Sequence, residues 1–330
     1  MQVRRSSVII LWMAGVLGSA ALVQAQSLPL EPRHDAGQSI TAAFEGWFAN
    51  QDGTYSILLG YYNRNRKQDL DIPVGPNNRI EPGGPDQGQP THFLPGRQWG
   101  VFTVTVPKDF GIRKLTWTLV ANGQTTVVPA SLDPLWEVSP FIEASENTPP
   151  TIRFEDGASV QGPSPISTSL STIMGNPLTL ALWVSDDAKT ILGMQPPKTP
   201  PVILTWSKFR GPGEVTFADA KPGVQLAKVE AVSGVVSGTA STSATFSKPG
   251  EYILRVVAND WSGNGGHGFQ CCWTNAQVRV SVKSRERGDG VGSGFVLGVK
   301  NEMRAETKGG QSCVGRSLLQ RRWWPLPYWG

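Results

Sequence analysis

Apolar and polar residues alternate along most of this chain, with the period of two expected of strands rather than the 3.6 of a helix. "YSILLGYYN" sets Tyr55, Ile57, Leu59 and Tyr61 on one strand face, and the Asp-Gly pair in the preceding "FANQDGT" is suited to folding Phe44 to Phe48 back against it. "VFTVTVP" alternates Phe102, Val104 and Val106 with valine and threonines. "KLTWTLVANGQTTVVPA" reads as a hairpin: Leu115, Trp117 and Leu119 point one way, and Asn122-Gly123 is the pair best suited to a type I′ turn. Further on, "LTLALWVSDD" turns Leu178, Leu180, Leu182 and Val184 inward, and "PVILTW" does so with Val202, Leu204 and Trp206. "EYILRVVAND" adds Tyr252, Leu254, Val256 and Ala258, and "AQVRVSV" adds Val278, Val280 and Val282. Almost no window carries a sustained helical stripe, so the expected fold class is all-β, as two tandem β-sandwich domains.

The turn residues between these runs divide the chain. A first sandwich is expected over 38–142, after a flexible N-terminal segment at 26–37, and a second over 147–283. The two prolines of "ENTPP" at 146–150 bar regular structure and suit an interdomain linker. Inside the first domain, residues 75–98 read as one long loop, the kind of segment that is either functional or disordered.

Within the second domain, "LTWSKFRGPGEVTF" followed by "ATFSKPGEYILRVVAND" resembles the bacterial PKD-type and cadherin-like immunoglobulin sandwiches, whose strands carry a similar W…GPG…F and then F…PG-Y-L-V-AxD pattern. The resemblance spans 147–283 and implies an immunoglobulin-like fold there. Ser207-Lys208-Phe209-Arg210 stands where the PKD pattern has W-D-F-G-D-G, and the cadherin calcium motifs are missing, so calcium binding does not carry over. The first domain resembles an uncharacterised group of secreted bacterial proteins, which implies no function.

Composition adds a compartment. Arg4 and Arg5, the apolar run Val8 to Val23, and Val23-Gln24-Ala25 form an expected secretory signal peptide over 1–25. The run is shorter than the ~18–20 residues of a stable membrane span. Export to a periplasmic or extracellular, oxidising compartment follows as an expectation. The net charge of +4 is uneven: residues 1–26 carry +2, residues 284–330 carry +4, and the body between them is at −2, which leaves no nucleic-acid footprint on the folded part. The last segment, 284–330, abandons alternation for a basic, tryptophan-rich end. It reads as a frameshifted or otherwise non-native tail, a disordered tail, or a surface-binding segment using Arg321, Arg322, Trp323, Trp324, Tyr328 and Trp329.

Sandwich topology brings the loops after "LTLALWVSDD" and "EYILRVVAND" to one end, gathering Asp186, Asp187, Asn259, Asp260, His267, Cys271 and Cys272, with Met194 in the other loop. Three readings of that end compete. The cysteines are structural, as a vicinal disulfide or paired with another chain; or Cys271, Cys272 and His267 hold a soft metal ion; or Asp186, Asp187 and Asp260 hold calcium. No other cofactor is implied. The 75–98 loop offers Asn77, Asn78, Arg79, Glu81, Asp86, Gln87, His92 and Arg97, with Phe93 and Trp99 beside them, as a glycan- or peptide-binding set. Against that stands a solvated loop whose arginine–carboxylate pairs hold its own turns. G-x-S-x-G, phosphate-cradling glycine loops and H-E-x-x-H are absent, so a non-enzyme is expected. The chain thus reads as a non-catalytic exported adhesion, spacer or partner-binding module with a protein, cell-surface or glycan partner. The alternative is a ligand- or metal-binding accessory protein.

Overall fold

The Asp-Gly pair does fold the chain back. The computed structural model describes residues 34–142, 146–155, 157–189, 202–227, 235–260 and 272–285. In it β1 (Ile40–Ala49) and β2 (Tyr55–Asn63) form an antiparallel hairpin. Gly53 turns the chain at φ 81°, and Asp52 accepts hydrogen bonds from the backbone and hydroxyl of Thr54. Between this hairpin and the next long strand lie β3 (Leu70–Asp71), β4 (Asn78–Glu81) and β5 (His92–Phe93). Thus the segment expected as a loop contains two short strands. β6 (Gly96–Val106) pairs with β2, and β7 (Lys114–Ala121) with β8 (Gln124–Ser131). The β7–β8 turn holds Asn122 at φ 49° and Gly123 at φ 76°, the left-handed pair that a type I′ turn demands.

Sheets β1-β2-β6 and β4-β7-β8, with the small β3-β5 pair, enclose a core of Ile40, Ile57, Leu59, Tyr61, Phe93, Phe102, Trp117 and Leu119. On β2 the residues expected to face outward are covered as well, since Ser56 and Leu58 are buried. The chain after β8 makes a 3-10 turn at Pro134–Trp136, and beyond it Val138 donates its amide to the Trp47 carbonyl while Phe141 packs edge-on against Phe48.

The second sandwich runs through β9 (Thr151–Phe154), β10 (Ser159–Gln161), β11 (Pro163–Ile173), β12 (Leu178–Asp186), β13 (Val202–Arg210), β14 (Val215–Phe217), β15 (Gln225–Leu226), β16 (Val236–Phe246), β17 (Gly250–Asp260) and β18 (Trp273–Lys283). One sheet is ordered β10-β9-β12-β16-β14, with β15 also on β16, and the other β11-β18-β17-β13. Only the β11–β18 pair is parallel among the described strands. The alternating residues named from the sequence form its core: Tyr252, Leu254, Val256, Ala258, Val278 and Val280 are fully buried. Each buried Leu, Val or Tyr of this kind contributes on the order of 2 kcal/mol of transfer free energy.

Two expectations change. Residues 146–150 are not an open spacer, because Asn147, Pro149 and Pro150 are buried. The prolines keep the strap extended, and its carbonyls find donors in the second sandwich: Gln161 Nε2 donates to the Pro149 carbonyl at 2.7 Å, and the Thr274 hydroxyl to that of Pro150. The two cores are also not wholly separate, since Phe209 of β13 belongs to the first core and Ile253 of β17 packs against it. The signal peptide, residues 26–33 of the N-terminal segment, the tail beyond residue 285, Met194, His267 and Cys271 lie outside the described residues.

Candidate functional site

Period two operates even in the four residues of β4, where Asn78 and Ile80 both turn inward. Asn78 is 0% exposed, and its amide is fully used. Its Nδ2 donates to the carbonyls of Ile72 (3.0 Å) and Pro90 (2.7 Å), and its Oδ1 accepts from Trp117 Nε1 (3.0 Å). His92, also buried, lies between Asp71 at Nδ1 (2.9 Å) and Asp69 at Nε2 (3.3 Å). Arg97 stacks on Trp99 at 3.8 Å and pairs with Glu45 at 2.5 Å. Arg79 and Glu81 pair with each other at 2.9 Å on the exposed side. Asp86 pairs across the molecule with Arg210, 124 residues away. The polar set expected on a binding surface is therefore largely committed to partners, because the segment's inward carbonyls need donors, Glu81 pairs with Arg79, and Asp86 meets the second sandwich.

That meeting is a seam with two sides. On one, Arg210 donates through both terminal nitrogens to Asp86 (2.8 Å each) and through Nε to the Gln89 carbonyl (2.7 Å). Beside it the Thr91 amide donates to the Phe209 carbonyl (3.2 Å), and buried Lys208 reaches Asp71 at 3.2 Å. The Arg210 guanidinium holds the Asp86 carboxyl below its ordinary range.

On the other side, Glu45 is buried beneath β6. Gly60 admits it, for a β-carbon there would collide with the Glu45 carboxylate and the Gln98 carbonyl. Burial raises the Glu45 pKa, against the pull of Arg97 and the Gly100 amide. Facing it from β17, Arg255 is buried, and this lowers its pKa to about 10, against the opposing influence of Tyr61 and Glu45. Arg255 donates from Nε (3.1 Å) and Nη2 (2.7 Å) to Asn275 Oδ1, and from Nη2 to the Trp99 carbonyl at 3.4 Å; Asn275 Nδ2 completes the link by donating to the Gly100 carbonyl. Gly100, at φ 47°, lies against the Trp273 ring of β18. No local pattern pointed to Arg255, which occupies a position that alternation assigns to solvent; Lys208 continues the inward phase of Val202, Leu204 and Trp206 on β13. The bulge between Lys208 and Arg210, which buries Lys208 and Phe209 in succession, has one trace in the sequence, the departure at Ser207-Lys208-Phe209-Arg210.

The far end of the second sandwich does bring Asp186 and Asp260 together at the ends of β12 and β17. Both are buried, and Asp260 accepts from Asn147 Nδ2 at 2.6 Å. Asp187 instead caps the strap, accepting from the amide and hydroxyl of Thr148. Asp186 accepts the Ala188 amide at 2.9 Å, and its pKa rises to about 7, chiefly through burial and further through Asp260 and Asp187. Among the described residues no group of three or more His, Cys, Asp or Glu is placed to hold a metal ion. Cys272 is buried and disulfide-bonded, with its sulfur 3.6 Å from the Asn147 carbonyl. Asn147 was not among the residues singled out from the sequence.

No family model and no curated protein matches the chain. Among solved structures, similarity is found to the zebrafish RET cadherin-like domains 1 to 4 at 12% identity and TM-score 0.26, covering 68% of this chain and 47% of that one. The D00-D0 domain of intimin is similar at 12% identity and TM-score 0.21, covering 73% and 99%. The sialic acid binding region of a Streptococcus sanguinis SK1 adhesin is similar at 9% identity and TM-score 0.21, covering 75% and 78%. No helix among the described residues is long and apolar enough to cross a membrane. No family is assigned on similarities of this size.

Proposed function

We propose that the chain is a non-catalytic exported protein whose paired β-sandwiches serve as an adhesion, spacer or partner-binding module. The observation that supports this best is the seam. Buried or half-buried Lys208, Arg210 and Arg255 of the second sandwich are engaged with Asp71, Asp86 and the Gln89 and Trp99 carbonyls of the first, and Glu45 is paired with Arg97 within the first sandwich beside them. Ions so engaged are unavailable for acid–base or nucleophilic work, and fixing the angle between two domains suits a part that presents a surface at a set distance. A freely hinged pair would scatter X-rays as an ensemble and unfold in two steps. The purified chain is expected instead to fit one conformer in small-angle scattering and to melt in a single calorimetric transition, and the labelled protein to be retained on cell-surface material. Two independent transitions, or turnover of a substrate by the purified chain, would overturn the reading.

A further inference from the structure

The outer face of the β10-β9-β12-β16 sheet carries one straight cross-strand row. Register aligns Ser159 with Arg153, Arg153 with Trp183, Trp183 with Thr239, and Thr239 with Gln225. Five strands at the usual interstrand spacing make this row about 19 Å long. The next row, Thr151, Ser185 and Ser237, adds hydroxyls at the same surface.

Relief is built on this face. A cleft of about 470 Å³ lies over Thr151, Arg153, Ser185 and Ser237, with exposed Leu226 at its wall. A second, of about 430 Å³, lies over Ala181, Asp219, Pro222 and Ser241. Trp183, Gln225 and Thr239 line both, so the two clefts adjoin along one trough with the indole at the junction. The indole is 38% exposed, and the Arg153 guanidinium sits 4.3 Å from its ring centre. Arg153 has no carboxylate partner, and the hydroxyls of Ser185, Ser237, Thr239 and Ser241 have no side-chain hydrogen-bond partner, among the described residues.

We infer that this trough binds an acidic oligosaccharide. The backbone here is spent in the ladders, so an occupant meets side chains alone, and those offered are hydroxyls, one amide, one guanidinium and an aromatic plate. Vicinal diols pair with the hydroxyls and Gln225, the C–H face of a sugar ring packs on Trp183, and a uronate carboxylate suits Arg153. Two adjoining clefts call for at least two rings. Asp219 in the second cleft confines the anionic ring to the first. This assigns a ligand class to the module proposed above, at a face distinct from the seam.

Titration calorimetry of the full chain with a galacturonate trisaccharide, and with its neutral methyl ester, tests the assignment. The acid is expected to bind and the ester more weakly. Trp183→Ala should weaken the acid about tenfold or more. Arg153→Gln should reduce it to the level of the ester, and Arg279→Gln on the opposite sheet should leave it unchanged. If Trp183→Ala does not fold, Gln225→Ala beside Arg153→Gln takes its place. No binding of either sugar, binding indifferent to these replacements, or a trough already covered by a protein partner that the sugar does not displace would overturn the inference, and none of these results would alter the scattering and melting behaviour that test the seam.

Discussion

Arg210 grips Asp86 through two parallel hydrogen bonds of 2.8 Å, the fork-on-fork geometry in which a guanidinium recognises a carboxylate, across the boundary between the sandwiches. Because Arg210 also donates to the Gln89 carbonyl, Arg210→Ala is expected to cost more than Asp86→Ala, about 2 kcal/mol against about 1. Asp86 has its pKa lowered by the pairing, so the folded state holds fewer protons than the unfolded one as the carboxyl titrates. The contribution is therefore complete above about pH 4 and fades below it. Urea midpoints of wild type and Asp86→Asn at neutral and acid pH check this: the two should differ at neutral pH and converge in acid.

Gly100→Ala strikes the seam from its other side. The added β-carbon would meet the Trp273 ring, and the φ of 47° is itself unfavourable for a side chain. A loss of at least about 2 kcal/mol is expected. The calorimetric melting temperature reads it out, and a melting temperature equal to wild type would count against the packing described.

Asn78→Ala should be among the most damaging polar replacements in the first sandwich. It strands the Trp117 indole N–H and the carbonyls of Ile72 and Pro90 in the interior at once. A loss of about 3 kcal/mol is expected in denaturant unfolding.

Asp186 gives a pH dependence of the opposite sign to Asp86. Its folded pKa of about 7 lies above the ordinary 3.8, so the native state binds the extra proton, and stability falls as pH rises from about 4 to about 7, then levels. Asp186→Asn cannot ionise and should remove that slope. The variant is expected to be more stable than wild type at about pH 8, by on the order of 2 kcal/mol, and nearly equal to it at about pH 4. Parallel unfolding curves at both pH values make the comparison.

Period two and turn chemistry made the strands legible, because a strand half exposed to water records its orientation in every second residue. Leu178 to Val184 and Tyr252 to Ala258 did so directly. The same rule, applied to only four residues, would have placed Asn78 beside Ile80 and marked the 75–98 segment as partly buried. The seam was hidden for a different reason. Arg255 occupies a face that an isolated sandwich would leave in water, Lys208 is a cation in the inward phase of β13, and their partners Trp99 and Asp71 lie 156 and 137 residues away. Such pairings leave no local period. The strand-end aspartates were placed correctly at one end by topology, but the strap residues Asn147 and Thr148, which take up Asp260 and Asp187, lay in what read as a linker.

The parallel pairing of β11 with β18 matters once the chain is pulled. Their registered positions run from Pro163 opposite Asn275 to Ile173 opposite Lys283. Tension applied at the start of β11 and the end of β18 slides the strands lengthwise past each other. The rungs between them are then stretched together rather than unzipped one after another. A molecule tethered in flow would resist at that clasp before its core was ever exposed.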